Sequence, residues 1–224
     1  MNAALIRLWA VIDKDVRSEI RTRYGLTSLI VFVVTTVMLV AFSIADEAVP
    51  RPMAAGLLWV VMTFTANVGL GRGFIREEER GTWLYLRLST TASAVLFGKL
   101  LVNIAQAVVA NTLAYVMLLL VIGDVFTGNV LALITSIVVG SAALAGVLTV
   151  MSAISARAQA GGLLLPVLAV PVILPIVLPG TASVLQALAD FSLFDVAPNL
   201  GIIAAYAGIV VVVSWILFDY IWDE

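Results

Sequence analysis

Six stretches of this chain are long and apolar enough to cross about 30 Å of hydrocarbon as helices, and none carries Lys, Arg, Asp or Glu in its central portion. They cover residues 26–45, 53–71, 95–122, 130–155, 161–179 and 200–222. A helix satisfies its backbone hydrogen bonds internally, which lipid requires of any spanning segment. A charge at mid-membrane costs about 2.5–3.5 kcal/mol on insertion scales, so the clean central portions are themselves a signal. The composition agrees: 12% of the residues are charged, against about 25% in a soluble domain. The expected fold is an all-α integral membrane protein with six transmembrane helices.

Orientation follows from the cations. The first 25 residues hold Arg7, Lys14, Arg17, Arg21 and Arg23; the segment after the second span holds Arg72, Arg76, Arg80 and Arg87, with Lys99 just beyond; Arg157 follows the fourth span. Only Arg51 falls on the opposite side, so the positive-inside rule predicts that both termini are cytoplasmic. Ser43, Ile44 and Ala45 look like a small-residue cleavage site. Twenty apolar residues nevertheless exceed a secretory core of about 7–15, so the first span is expected to remain as an anchor.

Residues 1–25 form the first expected unit, an amphipathic interfacial helix, and residues 26–224 the six-helix domain. Leu5, Leu8, Trp9, Ile12, Val16 and Ile20 recur at helical spacing, with Arg7, Lys14, Arg17 and Arg21 mostly elsewhere. Such a helix lies in the membrane interface, with Trp9 at headgroup level. It serves either as an anchor that fixes topology, which the sequence favours, or as an elbow that transmits motion from a cytoplasmic partner.

Segment 72–94 concentrates charge of both signs: Arg76, Glu77, Glu78, Glu79 and Arg80 precede Gly81, Thr82 and Trp83. Gly81 can end a short helix and Thr82 can cap the next. Three glutamates beside an exposed Trp83 and Tyr85 suit a surface that docks a protein better than a set of snorkelling arginines. On the outer side, residues 180–199 are expected to form a loop folded as a short interfacial helix, since Val184, Leu185, Leu188, Phe191 and Phe194 make it apolar.

Within the membrane, the fifth span carries Gly161, Gly162, Pro166, Pro171, Pro175 and Pro179. Each proline removes a ladder hydrogen bond, so these residues are candidates for a hinge or a cavity, although irregular static packing explains them as well. Asn103, Gln106 and Asn111 on the third span need partners in lipid; interhelical hydrogen bonding is expected, with a polar substrate route as the alternative.

Several chemistries are excluded. The chain has no Cys and no His, which removes thiolate nucleophiles, disulfides, and the commonest general base and metal ligand. With no buried acid pair either, no catalytic residue, metal site or cofactor of its own is expected. A net charge of −2 supplies no field for nucleic acid. Gly98-Lys99 continues with Leu100, not Ser or Thr, so there is no phosphate-binding loop; if ATP drives the chain, another subunit binds it.

The chain resembles the ABC-2-type transporter permeases, and more narrowly the CcmB family of cytochrome c maturation, the membrane subunits of heme exporters. The resemblance runs over nearly the full length. Its specific pieces are Asp13-Lys14-Asp15-Val16-Arg17-Ser18-Glu19, Gly56-Leu57-Leu58-Trp59-Val60, the stretch 74–99 with its acidic run, Gly81-Thr82 and closing Gly98-Lys99, and the stretch 157–179 with Gly161-Gly162 leading into the prolines. Where the family's loop often continues with Leu-Glu and later a proline, this chain has Trp83, Leu84 and Thr90, which leaves Glu77, Glu78 and Glu79 as the acidic candidates.

The resemblance implies a multi-pass bacterial inner-membrane subunit. Its implied partners are a CcmA-like ATP-binding subunit carrying ATP and Mg, CcmC- and CcmD-like membrane proteins, and a heme chaperone downstream. Heme would be the substrate of the complex, delivered to c-type cytochromes. A permease for a lipid or drug, and a non-transporting scaffold for heme-handling proteins, remain open alternatives.

Overall fold

The computed structural model describes residues 3–22, 24–44, 48–70, 74, 77, 81–157 and 164–223. Among them are eight α-helices, one 3-10 turn and no strand. In chain order these are α1 (Ala3–Thr22), α2 (Tyr24–Ile44), α3 (Arg51–Leu70), α4 (Trp83–Ser89), α5 (Ala92–Ile122), the 3-10 turn Asp124–Phe126, α6 (Val130–Arg157), α7 (Leu164–Leu188) and α8 (Leu193–Asp223). Helices α2, α3 and α5–α8 are long and apolar enough to cross a membrane, in agreement with the six expected spans.

Helix α6 is the hub and packs against α3, α5, α7 and α8. Its sequence explains this, because small residues such as Ala132, Ala143 and Ala145 let neighbours approach closely between the larger Leu133, Ile137, Leu144 and Leu148, all buried. Two of its buried hydroxyls bond within the helix: Ser136 donates to the Ala132 carbonyl at 2.8 Å and Thr149 to the Ala145 carbonyl at 2.6 Å. Intrahelical bonding of this kind lets Ser and Thr sit in an apolar interior. Trp59 of α3 is wedged between α6 and α7 at Gly140 and Gly180. A Cβ on Gly180 would lie 1.9 Å from the indole ring, so only glycine seats this tryptophan.

Two expectations are corrected at the end of the bundle away from α1. The fifth span does not stop at Pro179: α7 continues to Leu188, and α8 begins at Leu193 rather than at residue 200. The expected outer loop over 180–199 is therefore a tight turn, with its apolar residues distributed between two long helices. The turn has recognisable chemistry. Asp190 takes φ 64°, and the N–H groups of Asp190 and Phe191 donate to the carbonyls of Ala187 and Gln186 at 3.2 and 3.1 Å, a left-handed helix stop. Asp195 Oδ2 then accepts from the Ser192 N–H at 3.0 Å and from its hydroxyl at 2.6 Å, pinning the start of α8. Asn199 donates to Gln186 Oε1 at 3.0 Å and ties the two helices together.

Helix α7 stays helical through Pro171, Pro175 and Pro179. Pro171 and Pro175 point outward, so the missing N–H groups lie away from the core. Tyr206 of α8 donates to the Val172 carbonyl at 3.0 Å, one residue beyond the carbonyl that Pro175 deprives of its ladder donor. Pro166 lies in the first turn of α7, and Gly161 and Gly162 fall outside the described residues.

At the other end the spans converge on a second, smaller core. Val11, Phe74, Trp83, Leu86, Val95, Leu96, Ala153, Leu165, Phe218 and Trp222 form one buried cluster. It gathers α1, α4 and the adjoining ends of α5, α6, α7 and α8, so both terminal helices of the chain reach the same end of the bundle.

Candidate functional site

Against this second core, through Lys99 on the Phe74 ring, lies a closed ring of alternating charge. Lys14 and Asp15 come from α1, Lys99 from the second turn of α5, and Glu77 from the segment before α4. Lys14 Nζ lies 2.5 Å from Glu77 Oε1 and 3.1 Å from Asp15 Oδ1. Lys99 Nζ lies 3.1 Å from Asp15 Oδ2 and 3.2 Å from the same Glu77 Oε1. Two cations and two anions thus neutralise one another across three segments that are far apart in sequence.

Burial gives the ring its weight. The Lys99 side chain is 4% exposed and that of Glu77 13%, a setting in which an ammonium group needs partners to offset the loss of water. Lys99 also sits over the Phe74 ring, 5.3 Å from its centroid, a favourable place for a cation. Burial alone would raise the Glu77 carboxyl. The Lys99 charge, hydrogen bonds from Lys14 and Thr82, and the Lys14 charge more than offset this and hold it at about 2. For Lys14, burial works to lower the ammonium and is outweighed by the Asp15 charge and the Glu77 contacts, so it lies above its ordinary value.

Neighbouring residues are shaped to fit the ring. Gly98 lets α1 cross closely: a Cβ there would lie 2.7 Å from Val11 Cγ1. Gly81 takes φ +66°, where a side chain would be strained, and turns the chain into α4. Thr82 stands at the N-cap position of α4, but its side chain makes no capping bond. Instead its hydroxyl donates to Glu77 Oε2 and its N–H to the Glu77 carbonyl at 2.9 Å. The expected capping role of Thr82 is thus replaced by support for Glu77.

Trp83 also departs from expectation. It is 5% exposed and packs at 5.9 Å from Phe74 and 5.1 Å from Trp222, centroid to centroid. Phe218 completes the stack, 5.7 Å from Phe74. What α4 presents outward is Leu84, Tyr85 and Leu88, the last 81% exposed. Of the acidic run, Glu77 faces inward; Glu78 and Glu79, with Arg76 and Arg80, lie outside the described residues.

The amides of the third span do not join this site. Asn103 donates to Thr149 Oγ1 at 2.8 Å and Asn111 to Ser141 Oγ at 2.9 Å, both across the α5–α6 interface. Gln106 is half-exposed. Lys14, Asp15 and Lys99 are the residues that sequence reasoning did not assemble. The available signal was Lys99, a lone charge two turns inside an apolar helix, which calls for an anionic partner.

The CcmB protein family matches this sequence over residues 6–218. The chain belongs to the CcmB family. It is also 27% identical over 183 residues to the Heme exporter protein B of Bradyrhizobium diazoefficiens, an alignment covering 79% of this chain and 80% of that protein. The family match takes in every member of the charge ring and the aromatic cluster up to Phe218, so the site described above falls within the family's common extent.

Proposed function

We propose that this multi-pass membrane protein is the permease subunit of an ABC transporter complex that exports or delivers heme for c-type cytochrome biogenesis. ATP is hydrolysed by a separate CcmA-like subunit, and CcmC- and CcmD-like membrane proteins and a heme chaperone complete the pathway. In the order of the spans along the sequence, eleven of the twelve Lys and Arg residues fall in the segments on the N-terminal side of the membrane, which favours a bacterial inner-membrane orientation with both termini cytoplasmic. The ATP-binding subunit docks on segment 72–94, and heme passes through the assembly as substrate, not as a resident cofactor of this chain.

The observation that carries this reading is the family match together with the architecture of the charged end. There a short helix, α4, is fixed by its inward Trp83 and Leu86 while Leu84, Tyr85 and Leu88 face out. Exposed apolar and aromatic groups held on a rigid base suit a protein contact. Glu77, whose Oε1 is occupied by two lysines and Oε2 by Thr82, supports the surface from behind.

The first test is a heme stain of denatured c-type cytochromes from cells with and without the chain. Loss of covalent heme, restored on adding the chain back, is expected; a full complement of heme-bearing cytochromes would give the lead to a permease for another substrate. For docking, Leu84→Glu with Leu88→Glu should abolish co-purification with the ATP-binding subunit while membrane insertion persists. Undiminished co-purification would move the contact elsewhere.

A further inference from the structure

The charge ring joins three segments that the chain has no covalent reason to keep together. α1 is connected to the bundle through residue 23, and it could lie on the lipid as a free interfacial helix. Its outward stripe of Leu5, Trp9, Val16 and Ile20 is exposed and suited to that position. A plain anchor would need nothing more. Instead the opposite side of α1 carries Val11, seated on Gly98, and Lys14 and Asp15, which reach Glu77 and Lys99.

Lys99 is the member on which the ring turns. It is the most deeply buried of the four and bridges the carboxylate of α1 to that of the segment before α4. Its ammonium also rests on Phe74, which packs on Trp83 of α4 and Phe218 of α8. Removing this cation leaves Asp15 and Glu77 facing each other with only the half-exposed Lys14 between them. Breaking a buried pair by deleting one partner is strongly destabilising locally, because the remaining charge stays desolvated.

We propose that Lys99 is a positioning residue: through the ring it makes α1, the Glu77 segment and the first turns of α5 a single mechanical unit. A displacement of the Glu77 segment is then delivered both to α5 and, through Lys14 and Asp15, to α1. The existence of the unit stands on the geometry alone; its use in coupling ATP hydrolysis to heme delivery rests on the function proposed above.

The chain contains no Cys, so spin labels can be placed without removing native thiols. Ala10→Cys on α1 and Val109→Cys on α5, both outward-facing, report the α1–α5 distance in the full-length chain in lipid bilayers. A narrow distribution is expected for the otherwise native sequence. Lys99→Met should broaden it about two-fold, and Lys99→Arg, which keeps the charge, should restore it. Should Lys99→Met fail to insert, Asp15→Asn, which leaves Lys99 paired with Glu77, should give a smaller broadening.

In the unlabelled complex with its ATP-hydrolysing subunit, Lys99→Met should retain ATP hydrolysis but lose about ten-fold in cytochrome heme formed per ATP, with Lys99→Arg rescuing it. Unchanged distance distributions in both Lys99→Met and Asp15→Asn would overturn the ring as a joint. Broadening with normal heme per ATP would overturn its role in transmission. If the native chain makes no difference to cytochrome heme, the function proposed above falls, while the distance measurement still decides the joint.

Discussion

The middle of the bundle and its charged end are held together by different physics. Around α6 the fit is one of shape: Trp59 in its seat at Gly140 and Gly180, and small residues that let four helices approach. Lipid tails are as apolar as the helix surfaces, so packing there gains little from burial as such and depends on close contact. At the charged end a ring of four charged side chains and four stacked aromatic rings hold six helices together with Phe74 and Glu77. The first region tolerates changes of charge state because it has almost none to change. The second is exposed to exactly those changes, which makes it the part of the molecule that can respond to a partner or to pH.

That contrast can be broken in order of size. The largest effect is expected for Trp59→Ala, which empties a seat shaped by two glycines and should cost about 3–5 kcal/mol. Thermal unfolding in detergent should show it with no dependence on salt or pH. A cost below about 1 kcal/mol would mean that the helices collapse into the space.

The next concerns Glu77. Its carboxyl is held at about 2, below its ordinary 4.5. A lowered carboxyl stabilises the folded arrangement above the unfolded value, and that contribution is lost as pH falls from 4.5 through about 2. Release of α1, followed by spin-label distance, should begin within this window and be reproduced at neutral pH by Glu77→Gln, at about 2 kcal/mol. The bundle interior should not respond over the same range. Lys14, raised above its ordinary 10.5, loses its contribution only as pH climbs through that higher value, so the Lys14 contribution is present across the neutral range.

The smallest effect sharpens the comparison from inside the membrane. Asn103→Leu removes a single amide–hydroxyl bond to Thr149 and should cost only about 0.6 kcal/mol. A much larger loss of cytochrome heme than of stability in that variant would return Asn103 to the candidates for a substrate route.

How legible all this was depends on the range of the interaction. The six spans follow from hydrophobic runs, which are local, and they were readable to within a few residues except at the α7–α8 turn. There the apolar run through Val184 and Leu188 hid a turn whose marks were Ser192 and Asp195 three residues apart, with Asp190 standing where a glycine usually ends a helix. Asn103 and Asn111 of α5 were readable as interhelical bonds because lipid leaves a buried amide no other partner, whereas Gln106, expected with them, is half-exposed. Segment 72–94 was readable as a special surface but not its facing: Trp83 points inward and Tyr85 outward because α4 is a helix and Phe74 and Trp222 lie on one side of it.

By itself, then, the sequence determined the solvent, the number of spans and the places where charge collects, since each is set by the transfer free energy of short stretches. Only the tertiary structure decided which charges meet. Lys14, Asp15, Glu77 and Lys99 are spread over 86 positions of chain, and nothing local to any of the three segments that carry them names the other two. Their pairing is fixed by α5, against which both α1 and α3 pack, and by Gly98, which lets α1 come close enough for two lysines to share one carboxylate oxygen.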